Sequence, residues 1–216
     1  MRKLIISALT FLSFVAQAND NSWKLIAVEQ DIKVFAQETT KSLIPFKATG
    51  VINAKIEDVF TILKDHKTKH NWAPKLKLVN VHAKPTANQF IFSEYYKTPW
   101  PAKDREFLLK GSYKIISPKH IKLSATSVLE GKYFDLKDQD HIQADVKHLN
   151  IELVSIAKNQ TQLTFEFHGD MKGWIPKWLS NLIQKKWPLR FIQALQAHSN
   201  EHKAGIRSLP KNAGLD

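Results

Sequence analysis

Apolar and polar residues alternate along two neighbouring stretches in the middle of the chain. One side of the first stretch carries Phe90, Phe92, Glu94 and Tyr96. One side of the second carries Arg105, Phe107, Leu109, Tyr113 and Ile115. Strand side chains alternate with a period of two, so the pattern predicts two strands with largely apolar faces. Each face also carries one charge, and residues 98–104 between the strands form a loop rich in proline and aromatic residues.

A hairpin around that loop is expected to bring Glu94 and Arg105 opposite each other. The carboxylate and the guanidinium would then pair inside an apolar enclosure. Buried charges are costly unless they are paired, and an ion pair is by itself weak support for stability. Two interpretations follow: a site that receives the polar end of an apolar ligand, or an ion pair that only closes the hairpin.

The N-terminal half otherwise reads as short elements. We predict a leading helix over residues 23–30, strands over 32–37 and 43–53, and a helix N-cap at Asn53. The helix that follows is amphipathic, because one face carries Ile56, Val59, Phe60 and Leu63. A strand over residues 76–82 and a turn over 85–88 lead to the hairpin. Another strand is predicted over residues 121–129.

The C-terminal half adds two strands and a long helix. The apolar residues lie at even-numbered positions up to Val146 and at odd-numbered positions from Leu149 onward. This change predicts a β-bulge near Lys147 and His148. Residues 163–167 form the last strand of the predicted sheet. After residue 176 the apolar period becomes helical, and Pro188 should kink or interrupt the helix. The fold class is therefore α+β, with a curved antiparallel sheet around a long C-terminal helix and a cavity between them.

The first residues have the features of a secretory signal peptide. Arg2 and Lys3 precede a short apolar run, and Ala16-Gln17-Ala18 is a small-residue cleavage site. We expect cleavage after Ala18, a folded domain over residues 19–204 and a polar tail over 205–216. The protein is then exported, for example to the periplasm. An uncleaved membrane anchor is the alternative, and the absence of cysteine excludes disulfides and thiolate chemistry.

The formal net charge of the chain is +12. Such a charge favours anionic partners, and for an exported protein these are anionic lipid headgroups or an acidic protein. The lysines are scattered and no nucleic-acid-binding motif is present, so nucleic acid is not an expected partner. The charge is equally well explained as a contribution to solubility. The oligomeric state does not follow from the sequence.

No motif for catalysis or for a cofactor is found in the chain. The pairs His66/His70 and His198/His202 lack the H-E-x-x-H pattern, so we predict neither a metal nor another cofactor. We predict a protein that is not an enzyme. Two alternatives stay open: a cyclase or hydrolase in which Glu94 or Arg105 moves protons in the cavity, and an adaptor whose cavity is vestigial.

The sequence resembles the START family, the lipid-transfer domains related to steroidogenic acute regulatory protein. The resemblance covers roughly residues 23–198. Its most specific part is E-Y-Y-K-T-P-W-P at residues 94–101, followed by D-R-E-F at 104–107. These segments are similar to the family's E-x-x-Y-P-F-P and N-R-D-Y. The helix before Asp65, Trp72 and the W-I-P-K-W-L of residues 174–179 also look like family features.

The resemblance implies a helix-grip fold with one lipid in a tunnel between the sheet and the last helix. It implies that the acidic and basic residues at 94 and 105 lie in the tunnel, and that the loop between their strands and the last helix gate it. We therefore expect a lipid or other hydrophobic small molecule as partner, with transient contact to an anionic membrane. The candidate ligand-binding residues are Glu94, Arg105, Tyr96, Phe92, Phe107, Trp100 and Trp72.

Overall fold

The computed structural model of the protein describes residues 23–37, 43–133 and 140–208, with side chains described as far as Glu201. The predicted signal peptide and the last eight residues of the predicted tail lie outside these ranges. Within them, no helix combines the length and the apolarity needed to cross a bilayer.

Ten strands and three helices make up the described residues. The N-terminal elements are β1 (Lys24–Glu29), β2 (Ile32–Ala36), β3 (Leu43–Ile52), α1 (Ile56–Lys64) and α2 (Lys69–Trp72). The central elements are β4 (Leu76–Thr86), β5 (Gln89–Tyr96), β6 (Arg105–Ser117) and β7 (His120–Ser127). The last are β8 (Ile142–Gln143), β9 (Asp145–Ala157), β10 (Gln160–Asp170) and α3 (Lys177–Ser208).

The strands form one curved sheet in the order β1-β2-β3-β10-β9-β7-β6-β5-β4. Neighbours along this order are antiparallel, and β8 adds a short parallel pairing to β6. Helix α3 packs across β2 and β3 and touches α1 and α2. The predicted α+β helix-grip arrangement is confirmed, because an antiparallel sheet must bury one face and the long helix covers it.

The inner face of the sheet is built from alternating apolar residues. Leu163, Phe165 and Phe167 of β10 are buried, and Phe46 of β3 is fully buried beside them. The Phe46 ring centroid lies 5.3 Å from that of Phe165 and 5.0 Å from that of Phe167. Such aromatic pairs stabilise a core beyond the area they bury.

The β-bulge predicted from the change of parity is confirmed. In the β9–β10 ladder, His148 pairs with His168 and Val146 pairs with Gly169, which leaves Lys147 as the extra residue. The bulge lets Val146 and Leu149 both face the interior, although a regular strand would place them on opposite faces.

Two local predictions at the N-terminal end are wrong. Residues 24–29 form strand β1, because a tight turn with positive φ at Gln30 and Asp31 folds them back onto β2. Tertiary pairing here overrides local propensity. Asn53 does not cap α1, because the N-cap is Lys55, which has no side-chain cap. The backbone N–H of Asn53 donates a hydrogen bond of 2.7 Å to Gln196 Oε1.

Helix α3 is continuous through Pro188, so the predicted interruption is not observed. The helix also extends to Ser208, beyond the predicted start of the tail at residue 205. Its inner side carries Leu189, Ile192 and Leu195, which are buried against the sheet. Strand β4 similarly extends to Thr86, so the turn before β5 contains only Ala87 and Asn88.

Candidate ligand-binding site

A cavity of about 350 Å³ lies between the sheet and the first half of α3. This volume is in the range of cavities that hold small-molecule ligands. Its walls are mostly apolar and include Phe46, Phe107, Leu109, Val146, Leu149, Phe167, Leu179, Ile183 and Trp187. Away from the rim, polar groups are few and lie at two places: Glu94 and Tyr96 on β5, and Arg105 at the start of β6. The cavity therefore suits a largely apolar ligand with a localised polar group.

Glu94 is the acidic group in the cavity wall, and it is 3% exposed. Its Oε1 accepts a hydrogen bond of 2.5 Å from Lys69 Nζ of α2. Its Oε2 accepts a hydrogen bond of 2.8 Å from the Tyr96 hydroxyl. Burial raises the pKa of the Tyr96 phenol well above its usual value, and the Glu94 charge adds to the shift. The phenol thus stays protonated and donates to the carboxylate.

The predicted pairing of Glu94 with Arg105 is wrong. In the β5–β6 hairpin Tyr96 pairs with Arg105, whereas Glu94 pairs with Phe107. Strand β5 ends at Tyr96 and β6 begins at Arg105. The loop between them is closed by a hydrogen bond of 2.8 Å from the backbone N–H of Thr98 to Asp104 Oδ1. The observed register therefore differs by two residues from the predicted one. A shift of two residues keeps Glu94 and Arg105 on the same face of the sheet but gives each a different partner.

Arg105 is 2% exposed and donates its hydrogen bonds to backbone carbonyls. Nε donates to Met171 O at 2.8 Å, and Nη2 donates to Lys172 O at 3.0 Å and Trp174 O at 3.3 Å. Nη1 donates to Lys103 O in the β5–β6 loop. Burial lowers the pKa of Arg105, Asp104 opposes the shift, and the guanidinium remains charged. Arg105 therefore joins the β5–β6 loop to the segment that leads into α3.

The sequence matches the START domain family over residues 6–205. The chain belongs to the START domain family. START domains bind lipids or other hydrophobic ligands, which agrees with an apolar cavity under the last helix. A comparison with curated proteins found no match.

Solved START structures share this fold at low sequence identity. Human STARD10 is 18% identical, with a TM-score of 0.76 over 88% of this chain and 78% of that one. A STAR-related lipid transfer protein from Xanthomonas axonopodis (fragment 25–204) is 20% identical, with a TM-score of 0.69 over 82% of this chain and 98% of that one. Human StAR-related lipid transfer protein 5 is 15% identical, with a TM-score of 0.72 over 87% and 90%.

A second, smaller cavity of about 70 Å³ adjoins the first in this START domain. Glu94, Leu109 and Leu149 line both cavities, so the Glu94 carboxylate stands at their boundary. His66 lines the smaller cavity, and its buried Nδ1 has no hydrogen-bond partner among the described residues. Burial lowers the pKa of His66 to about 4, and the Lys69 ammonium adds to the shift. His66 is therefore neutral at neutral pH.

The predicted site residues fall into four places. Glu94, Tyr96, Arg105 and Phe107 line the larger cavity, and Phe92 lines the smaller one. Trp72 lines neither; its ring packs against Phe191 of α3, with centroids 5.4 Å apart. Trp100 is 88% exposed at the tip of the β5–β6 loop. A direct role of these residues in ligand binding stays a prediction.

Lys69 and Trp187 contact predicted site residues but were not themselves predicted. Lys69, the partner of Glu94, precedes the buried Trp72 by three residues, a spacing that places both on one helical face. Trp187 packs against Phe46 and Tyr96, with ring centroids 5.6 and 5.8 Å away. The helical spacing could have indicated that Trp187 lines the cavity. It lies four residues after Ile183 and three before Arg190, so the three share one face of α3, and all three line the cavity.

Basic and aromatic groups surround the cavity mouth. Lys75, Lys97, Lys186 and Arg190 line its rim. Trp174 is 63% exposed and Trp178 is 52% exposed on the segment that begins α3. Exposed aromatic residues beside cationic groups are typical of surfaces that meet the membrane–water interface.

Proposed function

We propose that the protein binds one lipid or other hydrophobic ligand in the cavity under α3 and carries it in the periplasm, without chemistry of its own. The observation that supports this most is the apolar cavity with its buried polar cluster, Lys69–Glu94–Tyr96. The apolar part of a ligand would displace water from the aromatic walls, a contribution of about 25 cal/mol per Å² of apolar surface. The polar cluster would orient the other end through hydrogen bonds.

The enzyme alternative gains little support. It requires Glu94 or Arg105 to transfer protons in the cavity, whereas Arg105 donates hydrogen bonds to four backbone carbonyl oxygens. The Zhui aromatase/cyclase of Streptomyces sp. R1128 is 8% identical with a TM-score of 0.54, a likeness of fold alone. The adaptor alternative predicts a vestigial cavity, whereas the cavity here is about 350 Å³.

Access to the cavity would require movement at its mouth. The walls there include Thr98 and Pro99 of the β5–β6 loop and Ile175 before α3. We propose that α3 and this loop separate when the protein meets an anionic membrane, with the rim cations attracting the lipid headgroups. Export after cleavage at Ala18 would place the protein beside such membranes.

Native mass spectrometry and organic extraction of the exported protein test the proposal. We expect one ligand per chain, released by organic solvent. A cavity-filling variant, Leu149→Trp, should lose the ligand, since Leu149 lines both cavities. Val154→Trp is the matched control, because Val154 lies on the same strand but is exposed.

Circular dichroism establishes that both variants are folded before ligand is measured. Displacement of a fluorescent fatty acid from the wild-type cavity provides a second measurement that does not depend on either variant. A wild-type protein that carries no ligand and binds no fatty acid would overturn the proposal and favour the adaptor.

A further inference from the structure

The outer face of the sheet, opposite the ligand cavity, carries a group of three side chains with metal-binding chemistry. His148 of β9 and His168 of β10 pair directly across the β9–β10 ladder. Glu166 lies two residues before His168 and therefore projects from the same face of β10. The potential ligand atoms of the three side chains all lie within 4.8 Å of one another. The only such group in the described part of the chain is this one.

We propose that His148, Glu166 and His168 form a binding site for a divalent transition metal, with Zn²⁺ as the best match. Two imidazoles and one carboxylate are a donor set that zinc uses in proteins, with a fourth position left to water. The fold assigns no role to these side chains, since the ligand cavity lies on the other face of the sheet.

The distances within the group fit a shared metal. His148 Nε2 lies 2.9 Å from Glu166 Oε1. With metal–ligand bonds of about 2.1 Å, neighbouring ligand atoms of a tetrahedral site stand about 3.4 Å apart, so a cation fits between these two once they separate by about 0.5 Å. The two imidazole rings are stacked with centroids 4.3 Å apart, which places a second nitrogen donor beside the first.

His168 has a ring nitrogen free for coordination. Its Nε2 is buried and has no hydrogen-bond partner among the described residues, a costly state that a bound metal would relieve. The Trp23 ring lies against the His168 imidazole in a T-shaped arrangement, with centroids 5.6 Å apart.

The bulge at Lys147 gives this site its geometry. Because Lys147 is the extra residue, the strand turns His148 outward while Val146 and Leu149 stay inside. Zinc would then join β9 and β10 across the irregularity. Two cations oppose binding: Lys147 beside His148, and Lys47, which pairs with Glu166 in the β3–β10 ladder. We therefore expect an exchangeable site rather than a permanent one.

Calorimetric titration of the tag-free mature protein with ZnCl₂ at pH 7.5 tests the inference. We expect one zinc per chain, with binding at least about 10-fold weaker in His148→Ala and in His168→Ala, and a smaller loss in Glu166→Gln. The matched control is His120→Ala. His120 forms a similar pair with Glu152 on the same sheet, Nε2 to Oε1 2.6 Å, but has no second imidazole.

Zinc should also shift the imidazole proton resonances of His148 and His168 and leave that of His120 unchanged. If His168→Ala does not fold, Glu166→Gln and His148→Gln replace it, since each removes one ligand from the exposed side. Equal zinc affinity in wild type and in all ligand variants, or binding lost equally in His120→Ala, would overturn the site. The test does not involve the ligand cavity, so its result is independent of lipid binding.

Discussion

Arg105 Nε donates a hydrogen bond of 2.8 Å to the carbonyl oxygen of Met171, 66 residues further along the chain. The same guanidinium also reaches Lys172 and Trp174 on that side and Lys103 on the other. One buried side chain thus ties together the two segments that border the mouth of the cavity. Arg105 thereby positions the mouth.

Replacing Arg105 should loosen that connection. In Arg105→Ala the carbonyls of Met171 and its neighbours lose their donor, and each buried acceptor left unpaired costs about 1–3 kcal/mol of unfolding free energy. Hydrogen exchange should quicken in residues 171–176, and bound ligand should dissociate faster. Arg190→Ala is the control, because Arg190 is an exposed arginine of the rim, and it should leave the unfolding free energy unchanged. Unchanged exchange in Arg105→Ala would contradict the positioning role.

The Lys69–Glu94 pair should behave as one unit. Removing one partner leaves the other charge buried, so Lys69→Met or Glu94→Gln should each lower the unfolding free energy by about 3–5 kcal/mol. The double variant should recover much of this loss, because no unpaired charge remains. Urea unfolding of the four proteins measures the coupling.

Ligand loading separates structure from binding in the same variants. If the polar cluster orients the ligand, the double variant should be stable yet load less ligand than wild type. Full loading in the double variant would show that Glu94 serves only the fold.

His66 should make stability depend on pH. Its folded pKa is about 4 and its ordinary pKa is 6.5, so between these values the unfolded chain binds more protons than the folded one. The contribution of His66 to the unfolding free energy should therefore be complete above pH 6.5 and fall by up to about 3 kcal/mol as the pH drops to 4. His66→Gln should remove this part of the slope. Urea unfolding at pH 7, 5.5 and 4 measures the unfolding free energy of wild type and of His66→Gln. The carboxylates that both proteins share cancel in the difference. An equal pH dependence in the two proteins would contradict the role of His66.

Membrane contact should depend on the exposed tryptophans at the mouth. Trp100→Ala and Trp178→Ala should each weaken binding to anionic vesicles by roughly 10-fold, which corresponds to about 1.4 kcal/mol. Salt should weaken the wild-type interaction by screening the rim cations. Vesicles should also quicken hydrogen exchange in the first turns of α3. Ile115→Ala is the control, because Ile115 is also an exposed apolar residue but lies near the far end of β6. If all three variants bind alike, the aromatic rim is not the contact surface.

Export should remove the first 18 residues. N-terminal sequencing of the protein recovered from outside the cytoplasm should begin at Asn19, because Ala16-Gln17-Ala18 matches the specificity of signal peptidase for small residues. An Ala18→Arg variant should accumulate uncleaved. A mature protein that begins at Met1 would contradict the prediction.

Much of the fold follows from periodicity, which is a local property. The strands around Phe92, Phe107 and Phe165 and the amphipathic helix α1 were predictable because each side chain's burial repeats with the geometry of its own element. The bulge at Lys147 was also predictable, because the apolar positions change there from even to odd residue numbers. The E-Y-Y-K-T-P-W-P segment at residues 94–101 added the family resemblance, and through it the expectation of one lipid in the cavity beneath the last helix.

Partners across the fold were decided only by tertiary structure. Alternation placed Glu94 and Arg105 on the cavity face, but it left their pairing open, because a shift of two residues preserves every face. The loop geometry then set Arg105 opposite Tyr96, α2 brought Lys69 to Glu94, and the chain before α3 brought the carbonyl of Met171 to Arg105. The meeting of His148 with His168 likewise required the ladder between β9 and β10. Each contact joins residues far apart in sequence, where no repeating pattern relates one position to the other.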